Sequence, residues 1–377
     1  MSPRIPDHVL RIAPYIPGKP IEEAQRETGR GDVVKLASNE NPIGPSPRAL
    51  QAIRAAAAEA HRYPDGSGYA LRSALAVRHG LSPSQVVLGN GSTELVEILA
   101  KTFLHDRRNA VVGDPAFIMY RIAVLAMNAS LVSVPLRDDR HDLESMAASC
   151  TRRTGLVYIG NPNNPTGTYV GRGDFDRYFA RVPAHVLTVI DEAYCDYVEA
   201  KNYPDGLDFL RAGRHVVVLR TFSKIHGLAG LRIGYGMTSP DVARALEAVR
   251  SPFNTSAVAQ AAALAALKDR RHVARSRAGN TRETKFLEAA LQKRGLDFVP
   301  TSANFILVRT GLGGEELHQR LLREGVIVRP MEAYGYKDAV RVSIGRHEDN
   351  ERFLRSLDQV LGVRRRRPRG VRRSEPS

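Results

Sequence analysis

Lys224 stands inside the run Leu219-Arg-Thr-Phe-Ser-Lys-Ile-His-Gly-Leu-Ala-Gly-Leu-Arg-Ile-Gly-Tyr235, just past a stretch of apolar residues. Burial disfavours the charged form of an amine. A lysine that has shed its proton is a nucleophile able to form an imine with an aldehyde. Gly227, Gly230 and Gly234 let the backbone approach a ligand closely or turn sharply. The hydroxyl of Ser223 and the cationic fork of Arg232 suit a phosphate. A serine-lysine pair alone reads equally well as a surface lysine beside a turn, so the remaining segments decide.

The second of these is Val189-Ile-Asp-Glu-Ala-Tyr194. Asp191 ends an apolar strand at the carboxyl edge of a sheet, where open α/β folds bind ligands. A carboxylate there can keep a pyridine nitrogen protonated, so that the ring accepts electrons from a carbanion. Tyr194 can hydrogen-bond a phenolic oxygen on the same ring. The plainer reading of Asp191 is a helix cap. In Tyr158-Ile-Gly-Asn-Pro-Asn-Asn-Pro-Thr-Gly167 two Asn-Pro steps force a fixed loop, and Asn161 can donate to that ring oxygen. The run Leu88-Gly-Asn-Gly-Ser-Thr-Glu-Leu95 passes from strand to helix, and helix N-termini bind phosphate through free N–H groups. Gly91 and Ser92 are the candidate contacts. The third glycine of a dinucleotide fingerprint is missing. Phe117 can stack on a planar ring, although a single aromatic is as readily core.

The elements that must hold these residues form an α/β pattern. Strand-length apolar runs at 85–88, 110–112, 130–134, 155–159, 186–190 and 215–219 alternate with helical stretches. Such runs predict a mostly parallel sheet covered on both faces. Helices are expected over 241–249 and 257–267, and a long charged one after Lys268. Two further strands, at 304–308 and 340–344, with a helix at 314–324 between them, predict a smaller α+β domain. The expected division is an extended arm at 1–37, a large domain at 38–252, a small domain at 253–362 and a basic tail at 363–377.

With 377 residues, 43% hydrophobic and 25% charged, the chain can bury a large core. It has no run of 18 apolar residues to span a bilayer and no secretory leader pattern near Met1. Two cysteines, Cys150 and Cys195, make neither a disulfide framework nor a metal cluster, which fits a reduced cytoplasmic setting. Much of the net charge of +15 comes from Arg364 to Arg367, Arg369, Arg372 and Arg373, opposed only by Glu375. Such a tail has too little apolar surface to fold and is expected to be solvated rather than a nucleic-acid reader. The remaining positive excess suits an anionic substrate or cofactor.

In this order, Asn161, Asp191, Tyr194, Ser223, Lys224 and Arg232 resemble the site of fold-type I pyridoxal-phosphate (PLP) aminotransferases. The sequence is most similar to the histidinol-phosphate aminotransferase family, from about Tyr15 to about Leu361. Supporting pieces are Leu36-Ala-Ser-Asn-Glu-Asn-Pro-Ile-Gly-Pro45, Arg62-Tyr-Pro-Asp65, Ser302-Ala-Asn-Phe305, Val328-Arg-Pro330 and Val340-Arg-Val-Ser-Ile-Gly345.

The resemblance implies a seven-stranded large domain, a smaller C-terminal domain and a homodimer. It implies that Lys224 carries PLP as a Schiff base and shuttles the proton between the substrate α-carbon and the cofactor. Asp191 would pair with the ring nitrogen, and Asn161 and Tyr194 with the ring oxygen. Ser92, Ser223 and Arg232 would hold the phosphate, joined by Tyr63 from the other subunit. Arg341, with Arg329 and Tyr15, would anchor the substrate's anionic end. The implied reaction is transamination of histidinol phosphate with 2-oxoglutarate in histidine biosynthesis. The segment Met331-Glu-Ala-Tyr-Gly-Tyr-Lys337 resembles relatives that prefer phenylalanine or tyrosine, so an aromatic amino-acid aminotransferase is the alternative. A phosphothreonine decarboxylase and a non-catalytic PLP-fold module stand behind it.

Overall fold

A computed structural model describes residues 4–362; the basic tail lies outside them. A two-residue strand, Val34–Lys35 (β1), precedes the main sheet. That sheet is built from Val86–Gly89 (β2), Asn109–Asp114 (β3), Ser130–Pro135 (β4), Thr154–Gly160 (β5), Leu187–Asp191 (β6), Val216–Thr221 (β7) and Gly234–Met237 (β8). Its order is β2-β8-β7-β6-β5-β3-β4. All neighbours run parallel except β8, which is antiparallel to both β2 and β7.

Every residue of β2, β5, β6 and β8 is buried. This is why β2, β5 and β6 read as near-continuous apolar runs rather than alternating ones. One face packs Leu95, Leu99, Tyr120 and Val124 against Val112, Tyr158 and Val189. The opposite face packs Met146, Phe175, Tyr178 and Phe179 against Val111, Val157 and Ile190. The chain crosses from β3 outward to β4, then returns to place β5 on the other side of β3. That reversal opens a crevice at the strands' carboxyl ends. Gly160 pairs with Asp191 across that edge, and Thr221 closes β7 beside it.

The smaller sheet has the order β12-β13-β10-β9 and is antiparallel throughout. Its strands are Asp297–Val299 (β9), Phe305–Arg309 (β10), Arg329–Pro330 (β12) and Ala339–Ser343 (β13), while Val326–Ile327 (β11) pairs in parallel with β1. Leu317, Leu321, Phe353 and Leu357 from two helices pack on it with Leu287 and Leu291. The segment after β1 then runs into the cleft: Leu36 donates its N–H to Ile327, and Ser343 donates to the carbonyl of Leu36.

Helix Ala257–Leu267 packs on Pro47–Ala57 and Tyr69–His79. It shares a core with Leu88, Phe222 and Met237, so these residues lie with the large sheet although they follow the expected break at 252. The transfer to the small sheet occurs within helix Arg270–Lys293, which touches the turn Cys195–Tyr197 at one end and β9 at the other. Among the described residues no helix is long and apolar enough to cross a membrane.

Candidate active site

The carboxyl ends of β5, β6 and β7 and the N-terminus of helix Gly91–Phe103 converge on a cavity of about 490 Å³. Tyr15, Ser92, Phe117, Asp191, Tyr194, Ser223, Lys224, Arg232, Arg329 and Arg341, all singled out from the sequence, line it. Gly91 lies behind Arg232, Asn161 is buried beside the cavity, and Tyr63 stands outside it.

Lys224 is held just beyond β7, its ammonium 5.5 Å from the centre of the Tyr194 ring. Burial, reinforced by the positive charge of Arg341, pushes its pKa down to about 8. The side chain is thereby brought near the range in which it can act as an amine nucleophile. Asp191 is 6% exposed. One carboxylate oxygen accepts the hydroxyl of Tyr120 at 2.8 Å and the other accepts the Ala193 N–H at 3.1 Å. Burial raises its pKa, opposed by those two donors and by Lys224. Such a carboxylate waits for a cationic partner.

Tyr194 accepts a hydrogen bond from the side-chain amide of Asn39 at 3.1 Å, which leaves its own O–H free to donate. Burial raises its pKa, so it stays a phenol. Asn161 pairs its carboxamide with Val170, accepting the N–H at 2.9 Å and donating to the carbonyl at 3.2 Å. One amide hydrogen remains for another acceptor.

At the far end the cavity becomes a cup of donors. Ser92 opens the helix Gly91–Phe103, whose first N–H groups have no intrahelical partner. The Ser223 hydroxyl is fixed by Thr221, which donates to it at 3.0 Å. Arg232 sits in the left-handed region (φ 55°) and donates to Ala229 at 3.1 Å. Gly91 adopts φ 76°, a backbone conformation that side chains disfavour, and a Cβ there would stand 2.5 Å from the movable Arg232 guanidinium. A Cβ on Gly234 would come as close to the backbone nitrogen of Ser92. Gly91 is therefore required by its φ and Gly234 by the close approach of the two halves of the cup.

Opposite the cup lies Arg341, 7% exposed. It donates to the carbonyl of Ala37 at 2.9 Å and to Asn164, while its Nε finds no hydrogen-bond partner among the described residues. An unpaired N–H on a buried cation is costly and suits an anionic ligand. Arg329 stacks over Tyr15 at 5.5 Å and donates to the carbonyl of Ile16 at 2.6 Å, which ties the N-terminal arm to the cavity's mouth. Tyr63 is 83% exposed and stacks on Phe253 at 4.8 Å.

Asn39, Tyr120, Asn164 and Tyr334 belong to the site and were not singled out beforehand. Each acts on a partner remote in sequence or enters the cavity from another element. Three of them lie within segments the sequence marks out, Asn39 in Leu36-Ala-Ser-Asn-Glu-Asn, Asn164 in the loop before Gly167 and Tyr334 in 331–337, but without a role for the individual side chain.

The sequence profile of the family described as Aminotransferase class I and II matches residues 31–357. The chain is 49% identical over 360 residues to the histidinol-phosphate aminotransferase of Moorella thermoacetica, covering 95% of this chain and 93% of that one. It is 47% identical over 363 residues to the Anaeromyxobacter sp. enzyme of the same name, covering 96% of this chain and all of that one. Among solved structures, histidinol-phosphate aminotransferase from Sinorhizobium meliloti in complex with pyridoxal-5′-phosphate superposes with a TM-score of 0.88 at 28% identity, over 96% of this chain and 98% of that one. A profile match over most of the length, with relatives of this identity and coverage, assigns the family: the chain belongs to the class I and II aminotransferases, alongside the histidinol-phosphate aminotransferases.

Proposed function

We propose that this protein is a PLP-dependent transaminase that exchanges the amino group of histidinol phosphate with 2-oxoglutarate, in the cytoplasm and as a homodimer. The observation that carries the reading is the single cavity joining Lys224, Asp191, a phosphate-type donor cup and the unpaired Nε of Arg341. The donor set fits the cofactor: a buried amine for its aldehyde, a buried carboxylate for its ring nitrogen, and hydroxyls with a guanidinium for its phosphate.

When bound, PLP supplies an electron-accepting ring that stabilises negative charge on the substrate's α-carbon. Lys224 takes a proton from that carbon and returns one; a pKa near 8 makes both directions accessible at neutral pH. Asp191 holds a proton on the ring nitrogen. Tyr194 and Asn161 would hold the ring oxygen, Phe117 would cover the ring, and Gly91, Ser92, Ser223 and Arg232 would anchor the phosphate. Arg341 and Arg329, with Tyr15, pair with the anionic end of the substrate, and arginine's planar fork fits phosphate or carboxylate. Tyr63 completes the phosphate cup of the neighbouring subunit. Names borne by relatives 47–49% identical support the substrate.

The aromatic alternative has one observation in its favour: Tyr334, from the segment at 331–337, lines the cavity. Side-by-side kcat/KM values with 2-oxoglutarate as acceptor separate the readings. Histidinol phosphate is expected to exceed phenylalanine and tyrosine by at least about 100-fold, the selectivity of a site built to pair a charged group. No detectable turnover of histidinol phosphate overturns the assignment, and carbon dioxide release from phosphothreonine replaces it with decarboxylation.

A further inference from the structure

We propose that Tyr120 is a positioning residue for the reaction, whose hydroxyl orients the carboxylate of Asp191 and keeps its negative charge available to the ring nitrogen of the cofactor. The inference rests on the PLP reading given above.

Tyr120 is 2% exposed, and its ring is held from two sides. Tyr158 stacks on it at 4.9 Å with an interplanar angle of 11°, and Phe117 meets it edge-on at 5.6 Å. The ring cannot swing, so the hydroxyl occupies a fixed point on the cavity lining. Packing alone would be served by phenylalanine. The oxygen adds a buried polar group that is costly unless bonded, and its one partner among the described residues is Asp191 at 2.8 Å. Burial and the adjacent Asp191 charge raise the phenol's pKa well above its ordinary value. Tyr120 thus remains a donor across the working pH range.

The groups around Asp191 leave this task to Tyr120. Ala193 supplies a weaker neutral N–H. Lys224 lies across the cavity and is itself committed to the cofactor's aldehyde. Tyr194 accepts from Asn39 and makes no hydrogen bond to Asp191 among the described residues, and the Tyr158 hydroxyl points away to the carbonyl of Val96 at 3.2 Å. Glu192, the next residue, turns to Arg220 and the N–H of Gly206. His141, behind Gly160, is kept neutral by burial, which pushes its pKa down to about 4. A hydrogen bond to the ionised form favours that form, so removing the hydroxyl must raise the pH at which Asp191 loses its charge. Binding of the cationic ring then weakens as pH falls through that higher value.

The test is equilibrium binding of PLP to the apoenzyme between pH 5 and 9, for the native protein, Tyr120→Phe and Tyr158→Phe. Tyr120→Phe is expected to move the low-pH loss of affinity upward by about one unit, which weakens Kd up to about tenfold below the native midpoint and changes it little well above the shifted one. Tyr158→Phe removes a buried hydroxyl that does not touch Asp191 and should leave the midpoint in place. In an Asp191→Asn background, which also spares a fold strained by the unpaired carboxylate, Tyr120→Phe should no longer change the pH dependence. An equal loss of affinity at every pH, or an unmoved midpoint, overturns the inference. Absence of PLP binding by the native protein at any pH instead overturns the cofactor reading beneath it.

Discussion

Arg341 is the side chain that most clearly separates a site built to take an anion from one that merely tolerates it. Two of its nitrogens are spent on Ala37 and Asn164, which lock the guanidinium in orientation and leave Nε without a partner. Arg341→Lys would keep a charge and lose both the lock and the fork. KM for histidinol phosphate is expected to rise about 10- to 100-fold, the value of a charge-assisted bond of roughly 1.5–3 kcal/mol, with a smaller change in cofactor affinity. Steady-state kinetics beside a PLP titration checks this, and an unchanged KM assigns the anion to another group. At this scale the sequence was legible where a residue's type is unusual for its place. Lys224 at the mouth of a buried strand and Asp191 at a strand's end announce themselves. Tyr120 and Asn39 do not, because a tyrosine in a helix and an asparagine in a loop acquire meaning only when folding brings them to Asp191 and Tyr194.

The proposed phosphate cup is the element on which cofactor binding would turn. It exists because β8 lies antiparallel against β2 and β7, which brings Gly234 against the start of helix Gly91–Phe103. Gly234→Ala would set a Cβ 2.5 Å from the Ser92 nitrogen, with backbone rather than a flexible side chain as its neighbour. Such overpacking costs about 1–3 kcal/mol, and the strand must shift away from the cup. A lower melting temperature and a PLP Kd weakened at least about tenfold are expected. Native values for both would show the cup to be slack. The strand itself was hidden in the sequence: Gly234-Tyr-Gly-Met237 carries two glycines, and Gly234 reads as a site of close approach or sharp turn rather than as part of a strand. Of the six apolar runs ahead of it, all but the largely exposed edge strand β4 were legible because burial on both faces demands them. The expected break at 252 rests on local pattern, which does not reveal where the next helix packs.

Considered whole, the molecule leaves aromatic and aliphatic side chains uncovered, among them Tyr63 stacked on Phe253. Tyr63, Tyr69, Val77 and Phe253 are 83%, 71%, 85% and 47% exposed. A homodimer would cover such a patch and bring the partner's Tyr63 hydroxyl to the phosphate. Sedimentation is expected to give a dimer, and Tyr63→Phe to weaken PLP binding about 10- to 100-fold by loss of one hydrogen bond to a charged group. A monomer that binds PLP fully would refute that arrangement. Across the cleft, Arg309 grips Asp139 through both oxygens at 2.8 Å and Tyr336 donates to it at 2.7 Å. The small sheet is thus fastened to the large one beside the cavity's mouth. Such contacts between distant segments are set by the assembled fold and leave no local mark in the sequence.

All of this depends on one covalent claim, that Lys224 is the residue that carries the cofactor. Borohydride reduction of the PLP-loaded protein, followed by digestion and mass spectrometry, tests it directly. The account predicts the reduced cofactor's mass on the peptide containing Lys224 and its disappearance in Lys224→Ala. Covalent label on a different lysine, or undiminished labelling of the Lys224→Ala protein, would contradict it.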